Sequence, residues 1–481
     1  MRMNEPNRRQ VVSGVGAAMA VAFTRTAHSA AQKLRASGMV YPTPHWEILE
    51  PSAAGWSADL LDKARSFAAA AGSSAVMIVQ HGRVIAEWGD TSRRTDVASV
   101  RKSLLSALFG IAIEEGRVKL TDTLAKLGID DKPPSLTSSE LQATLADLLT
   151  SRSGIYHPID FEPAAVAAQR PPRGSHAPGE FWFYNNWDFN AAGSIYEKIA
   201  AADIFTAFKQ RIADRIGMQD FSLEACSYGE TKVSMHRNYG FRLSARDLAR
   251  FGLLYLRDGR WNGQQVVPAN WVHDSVKPLA DTRNVFFPGG GYGYMWWSGF
   301  ASVWAPTVTL PQETFFALGF GSQYLFVLPA HDLIVVHTVD MERERWPWVS
   351  DAQIGRLMWL ILSAAGVDDI GPDTSVTAAD LLPGEAVKAS VSGKTLRYAD
   401  MAPDGPYFMR LNSDGTASLQ KGLARKQAYL GKWWVDGAKL CRGWDQFHPR
   451  FDCWPVAISG ATVSLYGEHD TMFIQGSLEN E

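Results

Sequence analysis

Asp96-Val-Ala-Ser-Val-Arg-Lys-Ser-Leu-Leu-Ser-Ala-Leu-Phe-Gly-Ile-Ala-Ile-Glu-Glu-Gly116 is the stretch on which the reading of this chain turns. From Ser99 onward it predicts one helix, with Leu104, Leu105, Leu108, Ile111 and Ile113 at helical spacing, no proline and a closing Gly116. Ser99-Val-Arg-Lys102 opens that helix, and positions three apart share a helix face, so the Lys102 amine can reach the Ser99 hydroxyl. The helix N-terminus favours negative charge developing near Ser99. An alcohol attacks poorly until a base takes its proton, and a lysine serves as that base once burial or neighbouring cations lower its pKa.

A second Ser-x-x-Lys, Ser418-Leu-Gln-Lys421, is an internal control. It lies in a turn-and-strand stretch, where residues three apart point to opposite faces and cannot cooperate. The pattern alone is therefore weak, and its companions decide its meaning.

Working outward, 481 residues are too many for one ordinary core and predict two domains. A hydrophobic fraction of 46% with 20% charged residues is that of a globular protein, and a net charge of −3 gives no reason to expect nucleic acid or an anionic membrane as partner. At the start, Asn7-Arg8-Arg9 precedes an apolar run from Val11 to Phe23 and then Ala27-His-Ser-Ala-Ala31, so residues 1–33 read as an export signal of twin-arginine type. That run is too short and too rich in glycine and alanine to span a bilayer, no later stretch resembles a transmembrane helix, and the expected location is periplasmic or secreted. Eleven histidines without metal-ligand spacing give a metal or other cofactor no support. Cys441 and Cys453 can pair in an exported protein, which leaves Cys226 as a buried apolar residue.

Residues 59–71 predict a helix, and residues 74–88 a hairpin around His81-Gly82. Leu145-Ala-Asp-Leu-Leu predicts a short helix, followed by a long polar loop from Tyr156 to Glu180 that reads as a functional rim. On that loop, Tyr156 and His157 are more simply solvated than substrate-facing. Tyr184-Asn-Asn186 is the one Tyr-x-Asn of the chain and precedes a helix over 189–201. Residues 241–252 open another helix, strands begin at Gly291, 314–328 and 333–339 read as adjacent antiparallel strands, and 352–366 as a last helix. Hairpins at both ends of a helical middle point to an antiparallel sheet with a helical region. From about Gly371, Asp-Gly turns between short strand-like pieces predict a separate all-β module, a small sandwich or barrel, in which Trp433, Trp434, Trp444 and Trp454 are more simply core than a ligand face.

With Ser99-x-x-Lys102, Tyr184-x-Asn186 and Gly319-Phe-Gly-Ser-Gln323 in this order, the chain resembles the serine β-lactamase-fold hydrolases. It is most similar to the class C group that includes esterases, D-amino-acid peptidases and nylon-oligomer hydrolases. The resemblance spans about residues 45–365 and is supported by Leu145-Ala-Asp-Leu-Leu-Thr-Ser-Arg-Ser-Gly154, Pro178-Gly-Glu-Phe181 and Leu243-Ser-Ala-Arg-Asp-Leu-Ala-Arg-Phe-Gly252. The Gly-x-Ser-x-Gly elbow of the competing α/β-hydrolases is absent. The resemblance implies an α+β fold with an antiparallel sheet flanked by helices and a helical subdomain over residues 34–368, to which the all-β domain read above, residues 369–481, is appended. It implies that Ser99 forms an acyl-enzyme and that Lys102 and Tyr184 share the general base and acid, each lowering the other's pKa through a hydrogen bond. Asn186 would orient Lys102 or a substrate amide, and the backbone N–H groups of Ser99 and Phe320, beside Gly319, would form the oxyanion hole.

The family's third motif falls at Ala317-Leu318-Gly319, where no lysine or histidine stands to pair with a substrate carboxylate. An uncharged small-molecule ester, amide or peptide with a hydrophobic acyl part is thus the expected substrate. Trp182, Trp187, Tyr239 and Trp296 are candidate cleft walls, although packing is the simpler role for each. Alternatives are an acylatable penicillin-binding or sensory protein without efficient turnover, and a weak β-lactamase.

Overall fold

The computed structural model describes residues 40–479 apart from 163–166, 168–169, 283–289, 299–307, 344–348, 350, 372–380, 399–405, 423–424, 446–450 and 467–471. The expected export signal, and part of the long polar loop, lie outside the described residues.

Eight strands make one antiparallel sheet, in the spatial order Arg83–Gly89, Ala75–Gln80, Leu333–Thr338, Gln323–Leu328, Phe315–Gly319, Trp297–Ser298, Gly291–Tyr292, Ala280–Asp281. An early hairpin thus inserts beside strands formed some 250 positions later, Ala75 pairing with Thr338. Every residue of Gln323–Leu328 and Leu333–Thr338 is buried, so both faces of the centre are covered. Helix Ala245–Leu256, capped by the Ser244 side chain, presses on these strands at Gly252, where an added Cβ would stand 2.8 Å from Leu325. Helices Ala58–Ala71 and Asp351–Ala364, far apart in sequence, pack on each other.

The stretch read as one strand over 314–328 is instead a hairpin. Its strands, Phe315–Gly319 and Gln323–Leu328, turn at Phe320-Gly-Ser322. Gly321 (φ 74°) and Ser322 (φ 65°) take the left-handed conformation that a tight turn needs. The apolar run hides the turn because the Gly-Phe-Gly-Ser punctuation is short.

The quoted stretch folds as a 3₁₀ turn, Ala98–Val100, running into helix Arg101–Glu114. Every residue from Arg101 to Ala112 is buried, charged ones included. The helix is thus central rather than amphipathic. Burying Leu104, Leu105, Leu108 and Phe109 contributes about 1.5–3 kcal/mol each. Polar pegs fix its rotation: Ser103 Oγ donates to the Met295 carbonyl at 2.8 Å and Ser106 Oγ to the Tyr294 carbonyl at 2.7 Å.

The C-terminal module is a closed eight-stranded antiparallel barrel between Lys394 and Glu479, with its own core. Helix Gly384–Val391 adds Val387 and Val391 to that core. Cys441 and Cys453 face each other on neighbouring strands and are bonded. Trp433, Trp444 and Trp454 are core, whereas Trp434 is exposed. Ser418 and Lys421 lie on one strand, Thr416–Lys421, as the internal control requires. Among the described residues no helix is long and apolar enough to cross a membrane.

Candidate active site

Ser99 is presented by a turn pinned from both sides. Thr95-Asp96 pairs with Arg242-Leu243, and the Val97 amide donates to the Phe241 carbonyl. The Asp96 carboxylate accepts the Ala98 amide at 2.7 Å, holding Ala98 at φ 45° immediately before Ser99. A left-handed alanine is strained, and such strain persists only where the surroundings enforce it. Asp96 was not singled out from sequence; an aspartate two residues before a turn residue is the signal that marks it.

Lys102 lies one helical turn on, 1% exposed. Its Nζ is 2.6 Å from Ser99 Oγ, 2.8 Å from Tyr184 Oη and 3.1 Å from Asn186 Oδ1, with the rings of Tyr184 and Phe189 each 4.7 Å away. The structure thus brings Ser99, Lys102, Tyr184 and Asn186 to one point, and Asn186 contacts the lysine. Burial first, and the neighbouring Arg101 charge second, hold the Lys102 amine well below the ordinary lysine range. Among the described residues no carboxylate bonds it.

Tyr184 behaves oppositely. Burial pushes its phenol up to about 12, against a smaller lowering by its bond to Ser99. The expected mutual lowering through the shared hydrogen bond is not what sets either group: burial disfavours the charged form of each, ammonium for the lysine and phenolate for the tyrosine, and so moves them in opposite directions.

The segment that carries Tyr184 is cradled by the Thr150-Ser-Arg-Ser153 turn. Ser151 Oγ donates to the Phe183 carbonyl at 2.7 Å and accepts the Asn185 amide at 2.9 Å. Asn185 caps helix Asn186–Ala200, and its Nδ2 donates to the Ile155 carbonyl and to Asp188 Oδ1. Asp188, fully buried, also accepts from Ser153 Oγ, and burial holds its carboxyl well above the usual range. Asp188 and the Ser151-Ser153 cradle escaped the sequence reading, since their role appears only once two loops meet.

Gly319 ends its strand against the serine turn. A Cβ there would stand 2.3 Å from the Val97 carbonyl oxygen and 3.1 Å from the Ser99 nitrogen, so glycine alone permits this approach. The Gln323 side chain braces the turn, donating to the Gly321 and Val339 carbonyls and accepting the Val339 amide. Phe320, which follows Gly319 at the turn, is 59% exposed. Ala317 is buried.

Of the expected cleft walls, Trp187 and Trp296 are fully buried core, and Tyr239 is buried under Arg101. Trp182, also buried, reaches the site indirectly, its ring 6.4 Å from that of Tyr184. Trp297, which the sequence reading did not name as a wall, stacks on Tyr184 at 5.5 Å. Tyr156 and His157 are buried rather than solvated, because the loop start folds inward over Asp131 and Glu140. Among the described residues no cluster of histidine, cysteine and carboxylate side chains could hold a metal ion.

The family model for beta-lactamases matches residues 60–350. An uncharacterized protein of Alkalihalophilus pseudofirmus is 22% identical over 298 residues, covering 55% of this chain and 82% of that one. A solved Bacillus anthracis structure, described provisionally as a 6-aminohexanoate-dimer hydrolase, is 21% identical with a TM-score of 0.47, over 64% of this chain and 80% of that one. An octameric penicillin-binding protein homologue from Pyrococcus abyssi is 16% identical with a TM-score of 0.46, over 88% of this chain and 99% of that one.

Proposed function

The chain belongs to the beta-lactamase family, and we propose that it is an exported serine hydrolase that cleaves an ester or amide bond through an acyl-enzyme on Ser99. The observation that carries this reading is the 2.6 Å contact between Ser99 Oγ and a buried lysine amine that, among the described residues, no carboxylate holds in its charged form.

In this reading the neutral Lys102 takes the Ser99 hydroxyl proton onto its lone pair while Oγ attacks the substrate carbonyl. Its remaining N–H groups keep their bonds to Tyr184 and Asn186, which fix the direction of that lone pair. The oxyanion forms between the backbone N–H groups of Ser99 and Phe320, next to Gly319; one such donor is typically worth about 10²–10³ in rate. Tyr184, whose phenol keeps its proton, passes that proton to the departing alkoxide or amine and is reprotonated by the Lys102 ammonium. Water then attacks the ester by the same path in reverse. Residues 1–33 would place this chemistry in the periplasm or outside the cell.

Substrate choice follows from the third motif. Ala317 is buried and apolar where a lysine would bind a carboxylate, so the substrate is an uncharged ester or amide rather than a β-lactam. The test is intact mass after incubation with a fluorophosphonate, wild type beside Ser99→Ala, with hydrolysis of short p-nitrophenyl esters in parallel. Labelling and turnover lost together in Ser99→Ala support the reading. Labelling without turnover makes the protein an acylated sensor, and nitrocefin turnover rivalling ester turnover makes it a lactamase.

A further inference from the structure

Arg101 is the residue the mechanism above leaves unused. It stands beside Lys102 at the start of the central helix, 93% buried by its 7% exposure. Its Nη1 is buried with no hydrogen-bond partner, and among the described residues no carboxylate lies within ion-pair distance of its guanidinium. What it does touch is an aromatic face: its Cζ lies 4.3 Å from the centroid of the Tyr239 ring. Buried arginines are ordinarily paired, because an uncompensated charge away from water is costly. A fold that tolerates one here spends stability at the point where Ser99, Lys102 and Tyr184 meet.

We infer that Arg101 is a positioning residue for the reaction: its guanidinium, buried beside Lys102 without a counter-anion, keeps the Lys102 amine unprotonated and ready to receive the Ser99 proton. This rests on the proposed role of Ser99 and Lys102 and adds a charge that acts on the lysine in the same direction as its burial.

The groups that face this centre come from five elements. The central helix and its leading turn bring Ser99, Arg101 and Lys102. The Phe181–Asn185 segment brings Tyr184, and helix Asn186–Ala200 brings Asn186, Phe189 and Asp188. The Tyr239–Gly240 and Gly291–Tyr292 strands bring Tyr239 and Tyr292. Three tyrosines, 184, 239 and 292, are held neutral by burial. Asp188, a carboxyl that shares the Tyr292 surroundings with Arg101, is likewise pushed up by burial. Asp96, on the serine turn, accepts the Ala98 amide, and among the described residues no carboxylate bonds Arg101 or Lys102, so the Arg101 charge acts on Lys102 and Tyr184. On the lysine it repels a proton; on the tyrosine it favours the phenolate that forms in passing as the proton moves.

The experiment is the pH dependence of the fluorophosphonate labelling rate for wild type, Arg101→Gln, Arg101→Met and Arg101→Lys, each checked for cooperative melting. In wild type the rate climbs as Lys102 loses its proton and levels above that point. Removing the charge in Arg101→Gln or Arg101→Met should move this climb upward by about one pH unit or more, an approximately tenfold lower rate on the wild-type limb. Arg101→Lys, which keeps the charge, should restore most of it. An unmoved limb in the neutral variants, or a limb displaced equally in Arg101→Lys, overturns the inference while leaving Ser99 labelled. Absence of wild-type labelling would instead sink the proposed function itself.

Discussion

Lys102 Nζ and Ser99 Oγ stand 2.6 Å apart on one turn of a helix that is buried on every side from Arg101 to Ala112. That enclosure decides the chemistry. On a solvated helix the same pair would hold an ammonium, which cannot take a proton.

Lys102→Met keeps the stem and removes the amine. Labelling and ester hydrolysis should fall by about 10²–10⁴, the usual worth of a general base. Thermal stability should hold or rise, since a desolvated amine gives way to an apolar group. Parallel rate and melting measurements check both; a large loss of stability would show that the lysine is a structural peg.

The pH–rate profile of the wild type should show one rising limb well below the ordinary lysine value of about 10.4. Above that limb the rate should stay flat, because the Tyr184 phenol holds its proton up to about 12. Initial rates with a pH-stable amide from pH 5 to 11 test this. A falling limb near pH 8 or 9 would mean that the tyrosine ionises early and that the assignment of base and acid is reversed.

Gly319→Ala should cost about 10²–10³ in acylation rate, the scale of one lost oxyanion donor, because its Cβ would stand 2.3 Å from the Val97 carbonyl oxygen. Either strand or serine turn must shift. Labelling kinetics on the folded variant provide the check, and wild-type kinetics would remove Gly319 from the oxyanion hole.

Asp188 makes a stability prediction. Its folded carboxyl titrates well above the unfolded value, so between those two values the native state binds more protons and loses stability as pH rises. Asp188→Asn, neutral at every pH, should therefore gain in melting temperature relative to wild type between pH 4 and pH 8. Asp188→Ala should lose about 1–3 kcal/mol instead, leaving Ser153 and Asn185 without their acceptor. A constant Asn-to-Asp difference across that range would mean that the carboxyl is ionised.

Replacing Cys441 and Cys453 by serine opens a loop of sequence separation 12 within the barrel. The barrel should lose up to about 3 kcal/mol, and the labelling of Ser99 should be unchanged, since the two cores are separate. Calorimetry with labelling of the same sample measures both.

Much of this was legible in the chain. A period of 3.6 places Ser99 and Lys102 on one face, and a period of 2 rules out Ser418 and Lys421, because both follow from local backbone geometry. The His81-Gly82 hairpin and the Asp-Gly turns of the barrel are local too, set by which residues accept a positive φ. The Phe320–Ser322 turn was missed for want of length: three residues of punctuation cannot interrupt an apolar run on a scale where periodicity is read.

What the tertiary structure alone decided is the state of the groups. Lys102 meets Tyr184 across 82 positions, and that closure also removes the lysine from water. Burial then sends their proton affinities in opposite directions, raises that of Asp188, leaves Arg101 without an anion among the described residues, and turns Trp187 and Trp296 from prospective walls into core. Motif spacing is a property of neighbours along the chain, so the sequence carries it whole. Desolvation and charge balance are sums over elements distant in the chain, and they exist only once those elements have packed.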